Sequence, residues 1–262
     1  MSPRSLFAGL CLAFALAVQA APPPRLVVLL VVDGLPMRQV EAWRDQFGAD
    51  GLRRFLDQGR TFAQAFYEHG HTVTGVGHAS LLSGAPPQVH GVISNGWTDP
   101  QSLASVYCTQ DEAHHYLALP PGQTPRGAGS SPKNLLAETV GDRLRAVDAR
   151  AKVIGVSGKD RGAILPAGHR GTAYMYLSEN GLFSSSSYYM AEHPAWVKAF
   201  NARRPADAFW GQTWTPLRPA AHYAADAPDA SPWMRAAGYG NRLPATLGDG
   251  LDGRGPRYYT DL

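Results

Sequence analysis

The 262 residues are 44% hydrophobic and 17% charged, enough apolar content to bury one substantial core and a composition that excludes a disordered chain. Lys plus Arg stand against Asp plus Glu at 24 to 21, a net charge of +3, and no run of about five or six like charges occurs. The charge pattern therefore offers neither a nucleic-acid arm nor a polybasic membrane anchor.

Residues 1–20, MSPRSLFAGLCLAFALAVQA, combine Arg4, an apolar run from Leu6 to Val18 and the small-residue ending Val18-Gln19-Ala20. This is the layout of a secretory signal peptide with cleavage after Ala20, and the run is shorter than the ~20 residues that span a bilayer. The expected mature domain, 21–262, then has no membrane anchor and a periplasmic or secreted workplace. Loss of Cys11 with that segment leaves Cys108 as the one thiol, so no intrachain disulfide and no cysteine-based zinc knuckle can form.

After the proline-rich APPP, the continuous apolar run RLVVLLVV (25–32) predicts a central strand buried on both faces of a parallel sheet, ending at Asp33-Gly34. Val40, Trp43 and Phe47 recur at helical spacing, and Leu52, Phe55 and Leu56 continue on a second short helix before RTFAQAFY turns extended. GVGHASLLSG (75–84) reads as a helix closed by Gly84 ahead of the breaker pair Pro86-Pro87. Ser131-Pro132 supplies an N-cap and a proline for the first turn of a helix carrying Leu136, Val140, Leu144 and Val147 on one face. AKVIGVS follows as a strand; YMYLSENGLFSSSSYY (174–189) reads as a hairpin about Asn180-Gly181; Pro194 to Arg203 reads as a helix. The alternation predicts an α/β sandwich with a mostly parallel central sheet, helices on both faces and a small inserted β element, with active groups at the carboxyl ends of the strands.

Four places carry candidate chemistry. Asp33 closes an apolar strand, where a carboxylate either meets a metal or caps the following turn. Thr74 opens a helix between small residues: it either caps, or presents a hydroxyl where Gly75 and Gly77 admit a bound anion and a metal-activated alcohol can attack phosphorus. Asn95, before Gly96, reads as a turn residue. Lys159 and Arg161 follow a strand and share a side if the backbone stays extended, able to clamp the nonbridging oxygens of a phosphate monoester or simply to lie solvated. His69, His71, His78 and His90 crowd Thr74 in the sequence but form no HExxH pattern, which argues against a local zinc site.

Taken in order, VVDG, TVTGVGHASLLSG, HGVISNGW, SPKNLL and GVSGKDRGAILPAGH resemble the phosphate-irrepressible alkaline phosphatases with a threonine nucleophile, in the type I phosphodiesterase/nucleotide pyrophosphatase branch of the alkaline phosphatase superfamily. The resemblance runs from about Leu26 to Phe200. It implies an alkaline-phosphatase-like sandwich and hydrolysis of small phosphate monoesters through a phosphothreonine. It further implies two zinc ions, Asp33 and Thr74 as ligands of one of them, Thr74 as nucleophile, Asn95 on a phosphoryl oxygen, and Lys159 with Arg161 as the clamp that diesterase relatives generally lack. Members of the family also carry, further along the chain, an Asp-x-x-x-His, an Asp-His pair and a late histidine that complete both zinc sites; downstream of Arg161 this sequence has only His169, His193 and His222, none of which directly follows an aspartate or lies four residues after one. The chain is accordingly expected to be the N-terminal part of such a catalytic domain, incomplete at its C-terminus and prone to poor solubility. A phosphodiesterase or nucleotide pyrophosphatase, and a noncatalytic remnant keeping an anion pocket, are the alternatives.

Overall fold

The structure, a computed structural model, describes residues 24–62, 64–117, 129–178, 180–222 and 243–246. The expected signal peptide and most of the tail, with Trp233, lie outside them. No helix among the described residues is long and apolar enough to cross a membrane. The chain divides into two compact units, Met1–Gln64 and Ala65–Leu262.

The first unit holds α1 (Met37–Ala42), a 3-10 turn at Arg44–Gln46 and α2 (Leu52–Gln58), close to the sequence expectation. Asp57 of α2 joins Arg44 at 2.6 Å and Arg53 at 3.1 Å. The run before α1 departs from expectation: Leu26 to Val32 enters no ladder, and its side chains are 42–78% exposed. A strand meant for burial on both faces is stable only where neighbours complete its hydrogen bonds and helices cover it. Among the described residues none pairs with it. The stretch 60–67 also joins no ladder, Ala63 lying outside the described residues.

The second unit opens with α3 (Thr74–Ser83), which ends at Gly84 in the left-handed conformation with φ 65°, as expected from the glycine. Then come α4 (Pro87–His90) and a ribbon of β1 (Gly96–Thr98) antiparallel to β2 (Ser105–Tyr107). Next are α5 (Val140–Val147), β3 (Ile154–Ser157), α6 (Asp160–Ala167), β4 (Thr172–Leu177), β5 (Leu182–Ser184) and α7 (Ala195–Ala202). A two-residue ribbon, β6 (Thr213–Trp214) with β7 (Ala245–Thr246), lies in the tail.

The expected helix start at Ser131-Pro132 is wrong by a full turn and more. Ser131 Oγ donates to Asp111 at 2.6 Å and accepts from Lys133 N–H at 3.1 Å, closing a turn instead. The helix begins after Thr139, where Thr139 Oγ1 accepts from Asp142 N–H at 3.1 Å and Asp142 Oδ2 accepts from Thr139 N–H at 2.9 Å. This reciprocal cap satisfies two orphan amides of the first turn, more than a serine cap alone provides. The predicted apolar face is exposed: Leu136, Val140, Leu144 and Val147 all face solvent, whereas Gly141 and Asp142 are buried.

The sheet has order β3-β4-β5, parallel between β3 and β4 and antiparallel between β4 and β5. The hairpin about Asn180-Gly181 is therefore not an insertion on the sheet; its first strand is the sheet's central strand. Period-two alternation sorts β4 into two faces. Ala173, Met175 and Leu177 pack on Ala163, Ile164 and Ala167 of α6. On the other face Tyr174 meets Trp196 of α7, and Tyr176 meets Phe183, which meets Phe200. Helices thus cover both faces. α6 also sends Leu165 into a second cluster with Ala79 of α3, Val92, Cys108 and Leu135. Its approach to β3 is so close that a Cβ at Gly155 would collide with the Ala163 carbonyl.

Asp142 is fully buried and also accepts from Arg170 N–H at 2.6 Å, so its removal strands three donors. Asp142→Ala is expected to lower the free energy of unfolding by about 2–4 kcal/mol in urea titrations, with Asp142→Asn less harmful.

Candidate functional site

Thr74 is the first residue of α3, and the cap position is held by Val73, which has no side-chain group to cap with. The amides of the first turn must find acceptors elsewhere. One is supplied from 20 residues on: Gly75 N–H donates to Asn95 Oδ1 at 2.7 Å. Because an N–H requires an acceptor, this bond fixes the amide's orientation and leaves Asn95 Nδ2 as its donor side. A Cβ at Gly75 would stand 3.1 Å from Asn95 Oδ1 and 3.2 Å from Cys108 Sγ, so any side chain there would have to push one of these atoms back by a few tenths of an ångström.

The loop feeding Thr74 is held by histidines. Val92 N–H donates to His90 Nδ1 at 3.1 Å, which places the His90 proton on Nε2, directed at Ser80 Oγ at 2.9 Å. The Ser80 hydroxyl then donates to His69 Nε2 at 3.3 Å, and His69 Nδ1–H to the His71 carbonyl at 3.2 Å. His71 Nε2 sits 3.2 Å from Ser94 Oγ, beside Asn95, and His78 Nδ1 lies 2.8 Å from the Thr74 carbonyl. The histidines around Thr74 therefore serve as hydrogen-bonding struts.

The β1–β2 ribbon extends the arrangement to the cations. Its register sets Gly96 opposite Tyr107, and Cys108 N–H donates to the Asn95 carbonyl at 3.0 Å. Tyr107 OH accepts from Arg161 Nη1 at 2.8 Å and donates to Asp160 Oδ1 at 2.6 Å. Asp160 Oδ2 accepts from Thr109 at 2.7 Å and from Ser130 at 3.3 Å. From the helix side, α3 and α6 pack together, with the Gly162 Cβ position 3.7 Å from His78 Nε2. Thr74, Asn95 and Arg161 are thus gathered about the starts of two adjoining helices, where backbone N–H groups and the helix dipole favour an anion.

The backbone does not stay extended between the two cations. Lys159 is the last extended residue, φ −135° and ψ 146°, and Arg161 already lies within α6. Lys159 lines a cleft of about 190 Å³ with Tyr116, Asp160, Tyr176 and Ser178. Arg161 Nε is buried without an acceptor among the described residues. Asp33 belongs to the first unit, exposed, at a turn where Leu35 N–H reaches the Val32 carbonyl at 3.4 Å.

Burial, with the nearby Asp160 charge, pushes the Cys108 thiol up to about 12, so it is a packed neutral group and not a nucleophile. Tyr107, Thr109, Ser130 and Asp160 were not legible as site residues. Asp160 alone offered a signal, an acid at a helix start between two cations; nothing local marks the others. A catalytic zinc takes three protein ligands, and no three His, Cys, Asp or Glu side chains come together among the described residues. These residues do not fit a complete zinc site.

The chain matches the type I phosphodiesterase / nucleotide pyrophosphatase family over residues 27–234, and it belongs to that family. It is 38% identical over 219 residues to alkaline phosphatase PhoV of Synechococcus elongatus, covering 83% of this chain and 39% of that protein. It is 37% identical over 217 residues to alkaline phosphatase PafA of Elizabethkingia meningoseptica, covering 82% and 39%. The chain thus spans about 39% of the length of these relatives. The crystal structure of wild-type PafA superposes with TM-score 0.79 at 35% identity, covering 87% of this chain and 44% of that one. A PafA variant with a threonine changed to serine and an asparagine, a lysine and an arginine changed to alanine gives TM-score 0.80 at 33% identity, with the same coverage. The fold is that of the alkaline phosphatase superfamily.

Two histidines make the unit acid-sensitive. Burial holds His90 and His193 below the ordinary imidazole pKa, and each uses a ring nitrogen as acceptor, His193 from Ser185 N–H at 3.2 Å. The unfolded chain takes up these protons below about pH 6.5 and the folded one resists them, so their stabilisation is complete above that pH and lost in acid. Melting temperature is expected to fall between pH 7 and pH 5, and His90→Gln to flatten that slope.

Proposed function

We propose that this chain carries the nucleophile-bearing part of an alkaline phosphatase that transfers the phosphoryl group of small phosphate monoesters to Thr74. The carrying observation is the β1–β2 ribbon, which sets Asn95 on the first turn of α3 and Tyr107 on Arg161, gathering hydroxyl, amide and guanidinium at two adjoining helix starts. The four residue types replaced in the PafA variant, threonine, asparagine, lysine and arginine, recur here in the same chain order as Thr74, Asn95, Lys159 and Arg161.

In this reading Thr74 Oγ1 forms a bond to phosphorus as the bond to the leaving alcohol breaks, and the alcohol departs with a proton. Water then attacks the phosphothreonine, releasing phosphate and restoring the hydroxyl. Asn95 Nδ2 and Arg161 donate to nonbridging oxygens whose charge the transition state redistributes, while Lys159 contributes a point charge at the mouth of its cleft. The family resemblance would make Asp33 and Thr74 ligands of one zinc ion; the other donors of a two-zinc site are not among the described residues. The layout of residues 1–20 supports a periplasmic or secreted workplace and a catalytic domain beginning at residue 21.

The family also includes phosphodiesterases, and the Lys159–Arg161 pair favours the monoester because a dianion presents more charge than a diester. A noncatalytic remnant is the reading favoured by the lack of a ligand cluster among the described residues. Incubation of a longer protein that joins this chain to the remaining zinc ligands with p-nitrophenyl phosphate is expected to yield phosphothreonine at residue 74 by mass spectrometry, absent in Thr74→Ala. Arg161→Ala is expected to lower monoester turnover by about 2–4 kcal/mol of transition-state stabilisation and diester turnover by less. Phosphate binding with no phosphothreonine and no turnover would instead establish the remnant.

A further inference from the structure

Arg161 has no carboxylate within ion-pair distance of its guanidinium among the described residues, and its Nε is buried without an acceptor. What orients it is one phenol. Nη1 donates to Tyr107 OH at 2.8 Å, and the guanidinium carbon lies 5.9 Å from the Tyr107 ring centroid. The phenol is itself anchored, donating to Asp160 Oδ1 at 2.6 Å. Asp160 is pinned from three further directions, by its neighbour Arg161 N–H at 2.8 Å, by Thr109 Oγ1 at 2.7 Å and by Ser130 Oγ at 3.3 Å.

The chain of bonds has a fixed direction. A phenol has one proton, and Asp160, an acceptor only, must receive it; the lone pairs of Tyr107 are then left for Arg161, which can only donate. Burial first, and the Asp160 charge second, hold the Tyr107 pKa well above its ordinary value, so the phenol keeps that proton across the working range. The ribbon register ties this phenol to Asn95, whose amide serves the first turn of α3.

We infer that Asp160 and Tyr107 are positioning residues for Arg161: the carboxylate holds the phenol, and the phenol holds the guanidinium in the attitude that meets a phosphoryl group at the start of α3. This rests on the proposed phosphoryl contact of Arg161. Neither residue touches the substrate. Their effect is exerted through Arg161 and vanishes when Arg161 is gone, which separates it from a general loss of fold.

The test is a double-mutant cycle on the chain, with inorganic phosphate as the probe and affinity read by calorimetry. Tyr107→Phe is expected to weaken phosphate binding about tenfold, the size of one hydrogen bond to a charged group, with the melting transition still cooperative. Asp160→Asn is expected to do the same, and should it fail to fold, Tyr107→Phe decides. In the Arg161→Ala background, Tyr107→Phe is expected to change nothing further. Wild-type affinity in Tyr107→Phe, or an equal loss with and without Arg161, would overturn the positioning role while leaving Arg161 as a phosphate contact. Absence of binding by the wild-type chain, or full binding by Arg161→Ala, would remove the phosphoryl-contact reading itself and this role with it.

Discussion

The position of α6 is the constraint on which the second unit is built. One helix supplies Ala163, Ile164 and Ala167 to the sheet and Leu165 to the cluster beneath α3, so both apolar clusters share a single backbone. Close-packed interiors transmit displacement because they have no slack. At Gly155 the helix comes near enough to β3 that no side chain fits between them. Since Asp160 and Arg161 occupy the first turn of this helix, the place of this carboxylate and guanidinium is set by packing on two sides before any polar contact is made.

Polar bonds then refine what packing has placed. The starts of α3 and α6 are joined indirectly, by way of the ribbon, through Asn95 on one side and Tyr107 on the other. Apart from Arg161 Nε, the polar side chains there satisfy one another: buried Thr109 and Ser130 serve the half-buried Asp160, while Ser131 serves buried Asp111. A buried carboxylate is tolerable under these conditions because its desolvation is offset by several donors. The site is thereby fixed before any ligand enters, which limits the reorganisation that binding must include.

Much of this was readable in the residues, unevenly. Gly84 announced the end of α3, Asn180-Gly181 the turn between β4 and β5, and Pro194 the start of α7, because each is a local steric or hydrogen-bonding effect. The motifs around Thr74, Asn95, Lys159 and Arg161 were readable through family resemblance. What failed depends on distant partners. The run Leu26 to Val32 has the composition of a central strand, but strandedness is a property of a ladder, and among the described residues that ladder is missing. The start of α5 went to Thr139 and Asp142 because Asp142 also finds Arg170, 28 residues away. Tyr107 went unnoticed for the same reason: its partner Asp160 is 53 residues distant.

The ribbon between Asn95 and Tyr107 also sets how this segment tolerates changes of length. Successive residues of a strand face opposite sides, so a one-residue slip between β1 and β2 would turn the Tyr107 phenol away from Arg161 and carry Cys108 off the Asn95 carbonyl. The connection from Asp99 to Ala104 has no such parity; Asp99 accepts from Gln101 N–H at 3.0 Å and Ser102 N–H at 2.7 Å in a self-contained exposed turn. Insertions and deletions drifting through this gene family should accordingly collect at residues 100–103 and spare the flanking strands, making the ribbon a ruler of fixed length with an adjustable end.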